Sequence, residues 1–177
     1  MTLPLLVNLS VACRHFERLD GKGRCLVTLD KVALRARVGF ALNLLCDSPS
    51  SVNVRFCDAE EMRHTNAAFR GKDAPTDVLS FPAVPGFSDT TKRGRLLYSL
   101  GDLLVCLPVC ERQARAHRLE PSREVEKMIL HGLVHLKGFD HELSDASWRV
   151  MSSLEKALSK EVVRAMGQPR YVTFVMS

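Results

Sequence analysis

Hydrophobic positions recur along the chain at two periods, and the switches between them mark its elements. Ser51 to Cys57 alternates Val52, Val54 and Phe56 against Asn53 and Arg55, the period of a half-exposed strand. Residues 3–13, rich in Leu and Val, read as an earlier strand, and Arg14 to Arg24 as a glycine-containing link. Thr28 suits the N-cap of a helix whose apolar residues Val32, Leu34, Val38, Leu42 and Leu45 run to about Cys46. Asp58, with Glu61 three residues later, has the form of a capping box opening a helix to about Phe69. Met62 and Phe69 are its expected core contacts. Residues 70–82 begin as a loop and become a strand from about Asp77 to Phe81. Residues 83–99, with Pro85, Gly86 and Gly94 among charged residues, read as a mobile excursion. Gly101 to Leu107 reads as a buried strand, and Pro108 opens a helix to roughly His117.

Ser122 is the expected cap of the next helix, with Glu124 and Glu126 near its positive end. At about 100° per residue, Val125, Ile129, Leu133 and Leu136 share one face, roughly opposite His131 and His135. Leu130 and Val134 fill the space between, so this helix is expected to be buried nearly all round. Ser144 opens a last long helix, with Trp148, Met151, Leu154 and Leu158 inward and Gly167 at its end. The pattern predicts an α+β (α/β-like) fold, in which about five helices pack on a small mixed four-stranded sheet. Residues 1–177 are expected to form one domain, with a metal site on its central helix and the following turn.

The candidate metal chemistry sits in His131-Gly-Leu-Val-His135-Leu-Lys-Gly138-Phe-Asp140-His141. Histidines four residues apart project from one helical face. Gly138 suits the left-handed residue that ends a helix, and a reversal there can return His141 to the pair. Three imidazoles on one side of a cation leave a coordination position open, as in catalytic zinc sites. The bland alternative is three unrelated histidines. Against it, three of the chain's six fall within these eleven residues. The offsets also match the extended H-E-x-x-H zincin pattern, but Gly132 occupies the position of the catalytic glutamate, which argues against a peptidase. An absent side chain at Gly132 would either keep the space beside the metal free for a bulky substrate or merely permit close helix packing.

Composition narrows the partners. A net charge of +5 and a pI near 9.0 suit a polyanion, though weakly on their own. No apolar run approaches the ~18 residues of a membrane span, and the first residues lack the features of a signal peptide, so no membrane partner is expected. Six cysteines without a C-x-x-C pair fit reduced thiols of a cytoplasmic protein.

Two blocks of the chain resemble the YbeY family of single-strand-specific endoribonucleases, also called rRNA maturation factors. One runs Phe69-Arg70-Gly-Lys72-Asp-Ala-Pro75-Thr76-Asp77-Val-Leu-Ser80-Phe81-Pro82, and the other is His131 to His141; Gly101-Asp102 is a smaller third match. The similarity covers roughly residues 50–160. It implies a metal-dependent hydrolase of phosphodiester bonds acting on single-stranded RNA, in small-subunit rRNA 3′-end maturation and ribosome quality control. The implied partners are small-subunit rRNA and the small ribosomal subunit, with no DNA expected. His131, His135 and His141 would hold one Zn²⁺ per chain, with His131 in the catalytic centre, and Arg70 would be the family's functional arginine.

The residue chemistry agrees with that implication. Arg70 offers a permanently charged fork for a phosphate, although a surface arginine is its bland alternative. Lys72 is a candidate backbone contact or a solvated loop lysine. Asp77 and Ser80 are expected to fix the loop and the strand start. Asp140 could hold a ligand histidine or cap the helix. No residue in either block is a clear general base. The competing reading is therefore a ribosome-associated assembly factor with a structural metal and little nuclease activity.

Overall fold

The computed structural model describes residues 5–11, 27–84, 88–90, 94, 96–139 and 144–174. In chain order the elements are β1 (Leu5–Val11), β2 (Val27–Leu29), α1 (Lys31–Leu45), β3 (Ser50–Cys57), α2 (Ala59–Arg70), β4 (Val78–Pro82), β5 (Ser88–Thr90), β6 (Leu96–Cys106), α3 (Leu107–His117), α4 (Pro121–Leu136), α5 (Asp145–Met166) and β7 (Val172–Phe174).

The described residues form an α+β fold of five helices and a mixed sheet. Strand order is β1-β3-β6-β4; the first two pairings are parallel, and β4 runs antiparallel to β6. β5 lengthens that edge by pairing antiparallel with the start of β6. The expected excursion over 83–99 is thus corrected among its described residues: it contains β5, and β6 begins at Leu96 rather than Gly101. β2 and β7 form a separate antiparallel ribbon that no local pattern announced.

Side-chain alternation on β6 divides the core. Leu103 and Val105 belong to the main cluster with Val125, Ile129 and Leu133 of α4. Leu104 and Cys106 belong to a smaller cluster with Met62 of α2, Leu79 and Val109. Eleven of the sixteen residues of α4 are buried, as the apolar run around that helix predicts. Arg37 of α1 and Glu126 of α4, both buried, form a salt bridge inside this core, closed by a 3.0 Å bond from Nη2 to Oε1. The sequence reading missed this pair. Among the described residues Cys46, Cys57, Cys106 and Cys110 are free and buried, and burial pushes the Cys110 thiol up.

Several local expectations give way to longer-range contacts. Asp30, not Thr28, caps α1, accepting from the N–H groups of Val32 and Ala33 at 3.0 Å, while Thr28 pairs in β2. Val32 is 75% exposed and Trp148 is 56% exposed, so neither points into the core. Phe69 is also exposed, and its ring meets Phe81 edge-on at 5.0 Å. Asp58 does cap α2, with its carboxylate accepting from Glu61 N–H at 2.8 Å, and the Glu61 carboxylate pairs with Arg55. Ser144 caps α5 as expected. The Arg14–Arg24 link lies outside the described residues.

Candidate functional site

The site begins with how α4 starts and stops. Pro121 occupies its first turn, so the N-cap is Glu120 and the expected cap, Ser122, falls inside the helix. Ser122 is buried there and binds the β7 backbone instead, accepting from Val172 N–H at 2.7 Å. At the other end Gly138 has φ 91°, as its glycine requires. Its N–H donates to His135 O at 2.8 Å, and Phe139 N–H donates to Val134 O at 3.3 Å. This pair of bonds is a Schellman ending, which turns the chain back over the last turn of α4.

His131 and His135 lie on the face of α4 left partly open, both half-buried. Their ring centroids are 4.6 Å apart and the planes are nearly perpendicular at 82°. Nδ1 of His131 lies 2.7 Å from Oε1 of Glu155 on α5. The sequence reading missed Glu155. Its signal was available: it interrupts the apolar stripe Met151, Leu154, Leu158, Val162 on the inward face of α5. A carboxylate on Nδ1 fixes the imidazole tautomer and leaves Nε2 as the outward nitrogen.

Among the described residues no three His, Cys, Asp or Glu side chains gather to hold a metal. Asp140 and His141, the latter the third ligand expected, lie outside those residues. The donors that are described suit a zinc-class ion: two imidazoles one helical turn apart, one of them oriented by a carboxylate.

Gly132 does not face the metal side. A Cβ placed there would lie 2.7 Å from Leu103 Cδ2 and 3.2 Å from Ser80 Oγ. Its missing side chain lets α4 approach the sheet closely, so of the two readings of Gly132 close packing holds and space kept for substrate is corrected. Ser80 Oγ contacts Gly132 O at 3.4 Å, tying β4 to α4 beside His131.

Arg70 and Lys72 stand at the far end of the connection that leads into β4. Arg70 is the exposed last residue of α2, and Gly71 ends that helix in the left-handed conformation with φ 68°. Asn66 Nδ2 donates to Ala74 O at 2.7 Å, which shapes the loop carrying exposed Lys72. Asp77 closes it, accepting from Val78 N–H at 2.8 Å and Gln113 Nε2 at 2.9 Å. Burial raises the Asp77 pKa, but the bonds from Gln113, Val78 and Thr76 outweigh it and hold it below the usual range. Asp77 is thus a loop anchor, as expected.

The model of the family described as Endoribonuclease YbeY matches residues 28–163. An Endoribonuclease YbeY of Aquifex aeolicus is 35% identical over 152 residues, covering 82% of this chain and 95% of the relative. The relative from Gloeobacter violaceus is 42% identical over 113 residues, 63% of this chain and 56% of its own. That from Alkalilimnicola ehrlichii is 38% identical over 112 residues, 62% of this chain and 63% of its own. The match thus spans under two thirds of these last two relatives and nearly all of the Aquifex one. The solution structure of a Thermotoga maritima protein aligns over 90% of this chain and 91% of that one, with a TM-score of 0.53 at 25% identity. With the matched span running from β2 through Arg70 and the α4 histidines to Glu155, the chain belongs to the YbeY family of endoribonucleases.

Proposed function

We propose that this chain is a metal-dependent endoribonuclease that hydrolyses single-stranded RNA, with small-subunit rRNA its target and one Zn²⁺ held by His131, His135 and His141. The observation that carries the reading is the His131–Glu155 bond beside the His135 ring. A carboxylate on the second ring nitrogen is the usual partner of a metal-ligating histidine, and it fixes the ring's tautomer and orientation. When bound, such an ion supplies Lewis acidity for phosphodiester hydrolysis, lowering the pKa of water and countering phosphate charge.

The chain's own residues do the rest. Glu155 keeps His131 in one tautomer, so its outward nitrogen presents a lone pair. Ser80 and Gly132 hold β4 against α4, which fixes the helix that carries both histidines on the sheet. Arg70, at the head of the β4 connection, is assigned the clamp on a phosphate, because its planar fork matches two phosphate oxygens. Lys72 adds a second, less directional cation for the RNA backbone.

Cleavage of single-stranded RNA by wild type, Arg70→Lys and Arg70→Ala tests this assignment. Lysine keeps the charge and loses the fork, so both variants should cleave much more slowly while staying folded and metal-loaded. RNA affinity should fall less than rate, because other basic residues share ground-state binding. Wild-type cleavage by Arg70→Ala would remove the clamp. Tight RNA binding by metal-loaded wild-type protein that never cleaves would favour the assembly factor instead.

A further inference from the structure

The end of α4 remote from the histidines opens into a concave site. A cleft of about 580 Å³ lies between the α3–α4 turn, the first turn of α4 and the segment entering β7. Arg118, Arg123 and Arg170 line it, against a single carboxylate, that of Glu120. All three arginines are exposed, and among the described residues none is held in an ion pair. By contrast, Arg37, Arg55, Arg63, Arg115 and Arg164 all have carboxylate partners.

The backbone brings the three together. Arg118 ends α3 with φ 55°, a left-handed position that glycine or asparagine ordinarily takes. Arg123 sits in the first turn of α4, its N–H bonded to Glu120 O at 2.9 Å. Arg170 is delivered by Ser122, whose oxygen accepts from Tyr171 N–H at 2.8 Å and from Val172 N–H at 2.7 Å. No side chain caps α4 here, so the positive end of its dipole adds to the guanidinium charge.

We propose that this cleft binds the phosphodiester backbone of RNA as a second contact, apart from the histidine pair. Three forks lining one cleft suit phosphate oxygens better than any neutral ligand. Arg123 and His131 are separated by about 12 Å along α4, at about 1.5 Å per residue. A strand engaged at the histidines therefore reaches the cleft within a few nucleotides. The identity of the polyanion rests on the endoribonuclease reading above.

The test is fluorescence anisotropy with single-stranded RNA long enough to span both ends of α4, from about 50 to about 200 mM salt. Wild type is compared with the combined Arg118→Gln, Arg123→Gln, Arg170→Gln variant. A charge-matched control carries Arg112→Gln, Arg149→Gln and Lys160→Gln. Losing three phosphate contacts at about 0.7 each should make the slope of log affinity against log salt shallower by about 2. The control should keep the wild-type slope. An unchanged slope in the cleft variant, or an equal loss in the control, overturns the proposal. Should the combined variant fold poorly, single Arg123→Gln and Arg170→Gln proteins should each lose about 0.7 of slope, and no loss in either overturns it. Inorganic phosphate titrated into wild type is the second arm. Saturable phosphate binding lost in the cleft variant, with no change in RNA slope, would reassign the cleft to a free anion and overturn the RNA assignment. Cleavage of the same RNA by metal-loaded wild type, followed in parallel, judges the endoribonuclease reading separately: intact RNA would sink that reading and leave the slope comparison standing.

Discussion

His131 Nδ1 and Glu155 Oε1 meet at 2.7 Å, joining α4 to α5 behind a candidate metal ligand. The contact links a residue of the histidine motif to one 24 positions later, so the site is built by packing of two helices as well as by the motif. Met151, Leu158 and Val162 seat α5 on the core and bring Glu155 to its place.

Glu155→Ala should therefore weaken metal binding by about 10- to 100-fold, the usual cost of losing a carboxylate that orients a ligand histidine. Glu155→Gln should lose less, since it keeps an acceptor without the charge. Chelator competition on folded protein measures this, and wild-type affinity in Glu155→Ala would show that the carboxylate does not serve the site.

Gly132→Ala should destabilise the chain although alanine is the better helix former. The new Cβ meets Leu103 at 2.7 Å, and Leu103 is fully buried, so its methyl can give way only by displacing the side chains packed around it. Overpacking of this kind costs about 1–3 kcal/mol, against a helix gain of about 1. Gly132→Glu should be worse, because it buries a carboxylate against leucine. Combining Gly132→Ala with Leu103→Val should cost less than the two changes summed. Melting temperatures unchanged in Gly132→Ala would contradict the packing account.

The motif was legible because its geometry is local. Helical period sets His131 beside His135, and a left-handed glycine ends the helix at Gly138, both readable within eleven residues. Glu155 was legible only as a carboxylate interrupting the apolar stripe of α5; its partner on α4 was not, because helix packing makes that contact. Ser122 misled for a related reason: it looks like a cap, but Pro121 moves the helix start back and β7, 50 residues on, claims its oxygen. Arg37 sits between Leu34 and Val38 on the buried face of α1, where a charge reads as an exception until Glu126 is seen opposite. Phe69 and Trp148 stayed exposed because apolar type alone does not decide burial.

Asp77 gives a pH dependence with a definite sign. Its folded pKa is depressed below the ordinary 3.8, so its ionised form contributes stability above that value. The contribution drains away as pH falls below 3.8 through the folded pKa. Asp77→Asn should therefore melt lower at neutral pH and lose less stability on acidification. Melting curves across the acid range check this; an acid limb as steep as wild type, with equal stability at neutral pH, would contradict it.

The central claim is that His131, His135 and His141 together hold one zinc-class ion on which RNA cleavage depends. Elemental analysis of purified wild type, His131→Ala, His135→Ala and His141→Ala, with cleavage of single-stranded RNA measured on the same samples, tests it most directly. The account predicts about one ion per wild-type chain, a large loss of metal in each variant, and cleavage lost in step with it. Variants as metal-loaded and as active as wild type would contradict it.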